Sequence, residues 1–121
     1  RIRYEEDFLR YRTQLEDWSF TIGDFSELEL RSNDFVYCDP PYDVPFTTYS
    51  PGGFNWADQV RLIEWLKPHK GPILISNQAT NRICKLYYEA GFKLEEIDEP
   101  RRISCTGDRK AAKTVLAYRN I

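Results

Sequence analysis

Apolar residues recur near the start of the chain at Tyr4, Phe8, Tyr11, Leu15 and Trp18, in steps of four, three, four and three. That rhythm lines one face of a helix and predicts one running to about Asp17, its aromatic stripe turned toward a core. Ser19 to Ile22 is short and β-prone, and Gly23-Asp24 breaks it. Phe35-Val36-Tyr37-Cys38 is a continuous apolar run, which suits a strand buried on both faces. It must stop at Asp39-Pro40-Pro41, because proline offers no N–H to a ladder and restricts the residue before it. Residues 42–55 form a loop of 14 residues, long for a connector and of the kind that carries function. Asn55 is placed as an N-cap, with Trp56, Val60, Ile63 and Leu66 as a helical stripe that Pro68 ends. The pattern then repeats. Ile73 to Ser76 reads as a second buried strand, Asn77 to Thr80 as a polar turn, and Ile83, Leu86, Tyr87 and Ala90 as a helix face closed by Gly91. Phe92 to Ile97 and Thr114 to Arg119 complete the strands. Strand, helix, strand, helix, strand is the order of an α/β domain with parallel strands.

With 121 residues, 41% of them hydrophobic and 30% charged, the chain has the composition of one globular domain rather than of a disordered segment. No apolar run approaches the roughly 20 residues that span a bilayer. Arg1-Ile2-Arg3-Tyr4-Glu5-Glu6-Asp7 lacks the apolar core of a signal peptide, so the expected location is the cytoplasm. Cys38, Cys84 and Cys105 are odd in number and widely spaced, which predicts reduced thiols and no metal site. His69, alone between Pro68 and Lys70, reads as exposed and incidental. The chain has no methionine and begins with arginine, which gives the expectation of an internal piece of a longer protein. Charge is graded along it: residues 1–34 carry five basic against nine acidic side chains, 35–100 six against nine, and 101–121 six against one. Arg101, Arg102, Arg109, Lys110 and Lys113 can therefore hold phosphates, or serve as a solvated face.

In open α/β sheets ligands bind outside the carboxyl ends of the strands, where Asp39-Pro40-Pro41-Tyr42 and Ser76-Asn77 both fall. Asp39 is a carboxylate at a strand tip, Pro40 and Pro41 stiffen the backbone, and Tyr42 adds a ring. Such a platform suits a planar group bearing an NH2: Asp39 and the Pro40 carbonyl each accept one hydrogen while Tyr42 stacks. A nucleobase amine fits that description. The plainer alternative is a Pro-Pro turn with a capping aspartate.

Asp39-Pro40-Pro41-Tyr42, Phe46-Thr47-Thr48-Tyr49, Gly53-Phe54, Leu74-Ile75-Ser76-Asn77-Gln78 and Arg102-Ile103-Ser104 with Arg109 together resemble the catalytic half of the Dam-type DNA adenine methyltransferases, in the family's order over roughly residues 19–119. The resemblance implies a partial Rossmann-like methyltransferase sheet, mostly parallel with an antiparallel last strand, and one domain over residues 1–121. It implies methyl transfer from S-adenosylmethionine to the N6 amine of adenine in double-stranded DNA. Asp39 and Pro40, with Pro41 and Tyr42, would form the catalytic turn. Asp24, Phe25 and Asp39 would meet the cofactor, Asp24 accepting from its amine. Tyr49, Asn77, Arg101, Arg102, Ser104, Arg109 and Lys110 would contact DNA. The family's glycine-rich cofactor loop and target-recognition region have no match in residues 1–34, so the expected partner is a missing N-terminal half, without which one edge of the strand at Phe35 to Cys38 stays unpaired. An RNA substrate and a non-catalytic nucleic-acid-binding module are the alternatives.

Overall fold

The computed structural model describes residues 2–44, 53–99 and 112–121. Helix α1 spans Ile2–Gln14, and a short 3-10 turn covers Phe25–Glu27. Strand β1 is Val36–Cys38, helix α2 Trp56–Leu66, strand β2 Ile73–Gln78, helix α3 Asn81–Glu89, strand β3 Lys93–Glu99 and strand β4 Ala112–Arg119. The sheet order is β1-β2-β4-β3. β1 pairs parallel with β2, and β4 lies antiparallel to both β2 and β3. Three strands therefore run one way and the last runs against them, as expected. The expectation did not include where β4 goes: it inserts between β2 and β3.

Side chains alternate across a sheet, so the register puts Val36, Cys38, Ile73, Ile75, Asn77, Val115 and Ala117 on one face. Leu62, Ile63 and Leu66 of α2 and Ile83 and Tyr87 of α3 join them in a single core. α2 starts where Asn55 and Asp58 form a reciprocal capping box, which satisfies two of the N–H groups a helix start leaves open. Its buried face is Gln59, Leu62, Ile63 and Leu66, turned slightly from the expected stripe, with Trp56 and Val60 half-buried. α3 ends before Gly91 at φ 87°, a backbone region that glycine enters without a Cβ clash.

Several expectations are corrected. Ser19 to Ile22 forms no strand, and Phe20 and Ile22 are exposed. Among the described residues the core does not reach Phe8 and Tyr11 of α1, which are exposed, as are Leu15 and Trp18 beyond its end. β1 is not buried on both faces: Tyr37 is 57% exposed, and among the described residues β1 is the edge strand, paired with β2 alone. The apolar run at 35–38 is one a further layer would cover. His69 is buried, its Nε2 lying 2.8 Å from the Asp34 carbonyl oxygen. Arg119, at the end of β4, donates to the carbonyls of Leu66 at 2.9 Å and His69 at 3.0 Å, closing the C-terminal end of α2.

Candidate active site

Asp39 follows directly on β1, and continuing the parallel register from Cys38–Ile75 sets it opposite Ser76. Asp39 and the Ser76-Asn77 pair thus occupy one rim of the sheet, the carboxyl end of β1 and β2, as expected. Asp39 is exposed and Pro40 beneath it is buried. The Ser76 hydroxyl donates to Asp39 Oδ1 at 3.0 Å. No donor among the described residues reaches the Pro40 carbonyl, whereas the Pro41 carbonyl accepts from Gln59 Nε2 at 2.8 Å.

The turn rests on a buried amide. Asn77 is fully buried, and its Nδ2 donates to Gln59 Oε1 at 3.1 Å and to the Tyr87 hydroxyl at 2.9 Å. Its Oδ1 accepts from the backbone N–H of Asp43 at 2.9 Å and of Gln78 at 2.8 Å. An amide has two donor hydrogens and two acceptor lone pairs, so all four are engaged. Asn77 therefore holds the turn over residues 39–43 from below, and its buried side chain faces these protein partners where DNA is expected from the sequence. The expected polar turn at Asn77 to Thr80 is also shorter, because Asn77 and Gln78 belong to β2.

Asp43 secures the far end of the turn. Its buried carboxylate accepts from Thr80 Oγ1 at 2.9 Å and from Arg82 Nε at 2.6 Å, and pairs with Arg82 Nη2. Hydrogen bonding from Arg82 holds the carboxyl below the usual aspartate range. The Arg82 guanidinium also lies over the Trp56 ring, 4.4 Å from its centroid. Burial raises the Tyr87 hydroxyl well above its ordinary value, so it stays neutral as a partner of Asn77. Gln59, Asp43 and Arg82 were not singled out from the sequence. A polar residue on the apolar face of α2 was the one available signal, for Gln59; the pairing of Asp43 with Arg82, 39 residues on, had none.

Beside Asp39 a cavity of about 240 Å³ runs along the open edge of β1. Phe25, Phe54, Trp65, Leu62, Cys38 and Pro40 contribute to its wall. The Phe25 ring meets Trp65 edge-on at 5.4 Å and Phe54 at 6.3 Å. Burial pushes the Cys38 thiol up to about 11, so it is protonated at neutral pH and offers no nucleophile. Phe25 faces this slot, and Asp24 does not line it. Asp24 caps the 3-10 turn through the Ser26 N–H at 3.0 Å and is bridged by Arg61 at 2.7 and 2.8 Å. Arg61 holds its carboxyl far below the usual range. From the sequence Asp24 is expected to accept from a cofactor amine; here its oxygens serve Arg61 and Ser26. Tyr42 is half-buried beyond the turn. Tyr49, Arg101, Arg102, Ser104, Arg109 and Lys110 lie outside the described residues, as does Cys105. Lys113, grouped with that basic segment, lies 3.7 Å from Glu96.

An exposed carboxylate, a carbonyl with no donor among the described residues on a braced proline turn, and an aromatic slot beside them are groups that can hold a planar amine at its edge. Known proteins bear on which amine. The DNA N-6-adenine-methyltransferase of Escherichia phage P1 is 36% identical over 108 residues, covering 80% of this chain and 14% of the phage protein. The retron Ec67 DNA adenine methylase of Escherichia coli is 31% identical, covering 93% of this chain and 41% of its own length. The DNA adenine methylase of Escherichia coli strain K12 is 30% identical over 93% of this chain and 44% of its own length. The chain thus spans less than half of each of these relatives. The family model for the D12 class N6 adenine-specific DNA methyltransferases matches residues 1–103, and on that match the chain belongs to this family.

Proposed function

We propose that this chain is the C-terminal catalytic half of an enzyme that transfers a methyl group from S-adenosylmethionine to the N6 amine of adenine in DNA. The observation that carries the reading is the Asp39-Pro40 pair of acceptors on a turn immobilised by Gln59, Asn77 and Asp43. An aromatic amine is a poor nucleophile because its lone pair is delocalised into the ring. Asp39 and the Pro40 carbonyl, each accepting one hydrogen, pull the amine toward a pyramidal geometry and return that lone pair to nitrogen. Preorganised acceptors of this kind accelerate a reaction without forming a covalent intermediate. Tyr42 stacks on the extruded base, and base–aromatic stacking of roughly 1–3 kcal/mol offsets part of the unstacking cost.

The aromatic slot at Phe25, Phe54 and Trp65 suits the adenine ring of S-adenosylmethionine, and Asp39 is among its lining residues. When bound, that cofactor supplies an electrophilic sulfonium methyl. Phe25 and Asp39 are the residues of this chain we assign to it. The slot borders β1, which among the described residues pairs with β2 alone, and this supports a second half of the protein completing the cofactor site. Arg101, Arg102, Ser104, Arg109, Lys110 and Tyr49 are assigned to DNA, the basic ones to phosphates.

The test is transfer of labelled methyl groups from S-adenosylmethionine to DNA and to RNA by the intact protein carrying this chain. Label should appear in DNA adenine, and Asp39→Ala should lower turnover by at least about a hundredfold while DNA affinity stays near that of the parent. Label in RNA alone moves the substrate to RNA. Undiminished turnover in Asp39→Ala removes the mechanism.

A further inference from the structure

Asp39 is exposed, and an aspartate at a strand tip has rotamer freedom that a catalytic acceptor cannot afford. The register supplies a restraint. Tyr37 and Asp39 fall on the sheet face opposite the helices, together with Leu74 and Ser76 of the neighbouring strand. On that face Ser76 is only 5% exposed, and its Oγ lies 3.0 Å from Asp39 Oδ1 and 3.4 Å from the Tyr37 hydroxyl. A carboxylate accepts and does not donate, and a serine hydroxyl has one proton. The Ser76 proton is therefore given to Asp39, and Tyr37 is the donor to Ser76. The three groups form a directed chain, Tyr37 to Ser76 to Asp39, that ends on Oδ1. No donor among the described residues engages Oδ2.

We propose that Ser76 is a positioning residue that holds Asp39 Oδ1 inside the protein, so that Oδ2 alone is presented to the target amine, with Tyr37 fixing the serine rotamer. The inference rests on the functional reading above and adds to it which oxygen of Asp39 acts. A hydrogen bond to an ionised acceptor is stronger and more directional than a neutral one, and a buried serine has little alternative company. The chain also accounts for Tyr37, a ring on an open sheet face whose hydroxyl points inward to Ser76. Neither Ser76 nor Tyr37 touches the reacting atoms, and both act through Asp39.

The experiment compares Ser76→Ala, Ser76→Thr and Tyr37→Phe in the intact protein, measuring kcat and the KM values for S-adenosylmethionine and DNA alongside thermal unfolding. Loss of one charge-assisted hydrogen bond should lower kcat about tenfold in Ser76→Ala with both KM values unchanged. Ser76→Thr, which keeps the hydroxyl, should recover most of that loss, and Tyr37→Phe should show a smaller fall in kcat. Unchanged kcat in Ser76→Ala beside an active parent overturns the positioning role and leaves the functional reading standing. Equal losses in Ser76→Ala and Ser76→Thr, with raised KM and earlier unfolding, overturn it in favour of a packing role. A parent protein that methylates neither DNA nor RNA overturns both.

Discussion

Asn77 engages two backbone N–H groups, a tyrosine hydroxyl and a glutamine carbonyl from a position with no solvent exposure. Removing its amide takes a hydrogen-bond partner from the buried Gln59, Tyr87 and Asp43 groups and from the half-buried Gln78 N–H. Each buried polar group left unpaired costs about 1–3 kcal/mol, partly relieved by entering water. Asn77→Ala should therefore lose roughly 3 kcal/mol in urea unfolding, and a loss within 0.5 kcal/mol, the usual scale of a surface change at roughly that size, would show that the network does not brace the turn. Asp43 makes a prediction in pH. Its folded pKa is depressed by Arg82, so its stabilisation is fully present above the ordinary aspartate value of about 3.9 and is lost as pH falls through the lower folded value. Asp43→Asn should remove that acid-side decline. Unfolding is best followed at high salt, which screens the exposed Asp24–Arg61 pair. An unchanged acid profile in the variant would discount the ion pair.

At the scale of elements, α1 and α3 differ in what holds them. α3 has Thr80 capping at Ile83 N–H, Gly91 beyond its end, and Ile83 and Tyr87 in the core. α1 has 13 residues, and isolated helices shorter than about 12–15 residues are marginal in water. Its apolar residues Phe8, Leu9 and Tyr11 are exposed. Hydrogen exchange on the isolated chain should thus find α1 amides close to unprotected rates while β2 and β4 amides are slow. Protection of α1 equal to that of β2 would mean its apolar face is covered in solution. The spacing of Tyr4, Phe8, Tyr11 and Leu15 announced the helix correctly; burial of that stripe is a property of what lies against it, and the chain described supplies nothing there.

For the whole molecule, the open edge of β1 is the dominant feature. Among the described residues no strand covers the side of β1 away from β2, and that edge, with Phe35 at 60% and Tyr37 at 57% exposure, makes a template for pairing with another chain. The isolated chain should self-associate with rising concentration in sedimentation velocity, and Phe35→Lys should weaken that association. A strictly monomeric chain at high concentration would mean the edge is shielded by residues outside those described. The same edge borders the aromatic slot, so association through it should also occlude Phe25.

Local chemistry determined much of this protein in advance. The proline pair had to end β1, the Asn55 cap and the 3.6-residue periodicity had to start α2, and an acceptor-rich turn had to stand at the carboxyl end of a strand. Those features depend on neighbours within a few residues, and they are legible in one dimension. Tertiary structure alone decided that β4 enters between β2 and β3, that Asn77 points into the core, and that Asp24 answers to Arg61, 37 residues away. It also brought Ser76 to Asp39. Alternation along β2 puts Ser76 and Asn77 on opposite faces, but which face the helices cover depends on how α2 and α3 pack. A strand tip looks the same from the sequence whether its side chain meets solvent or a buried tyrosine, because burial is set by residues distant in the chain and adjacent only after folding.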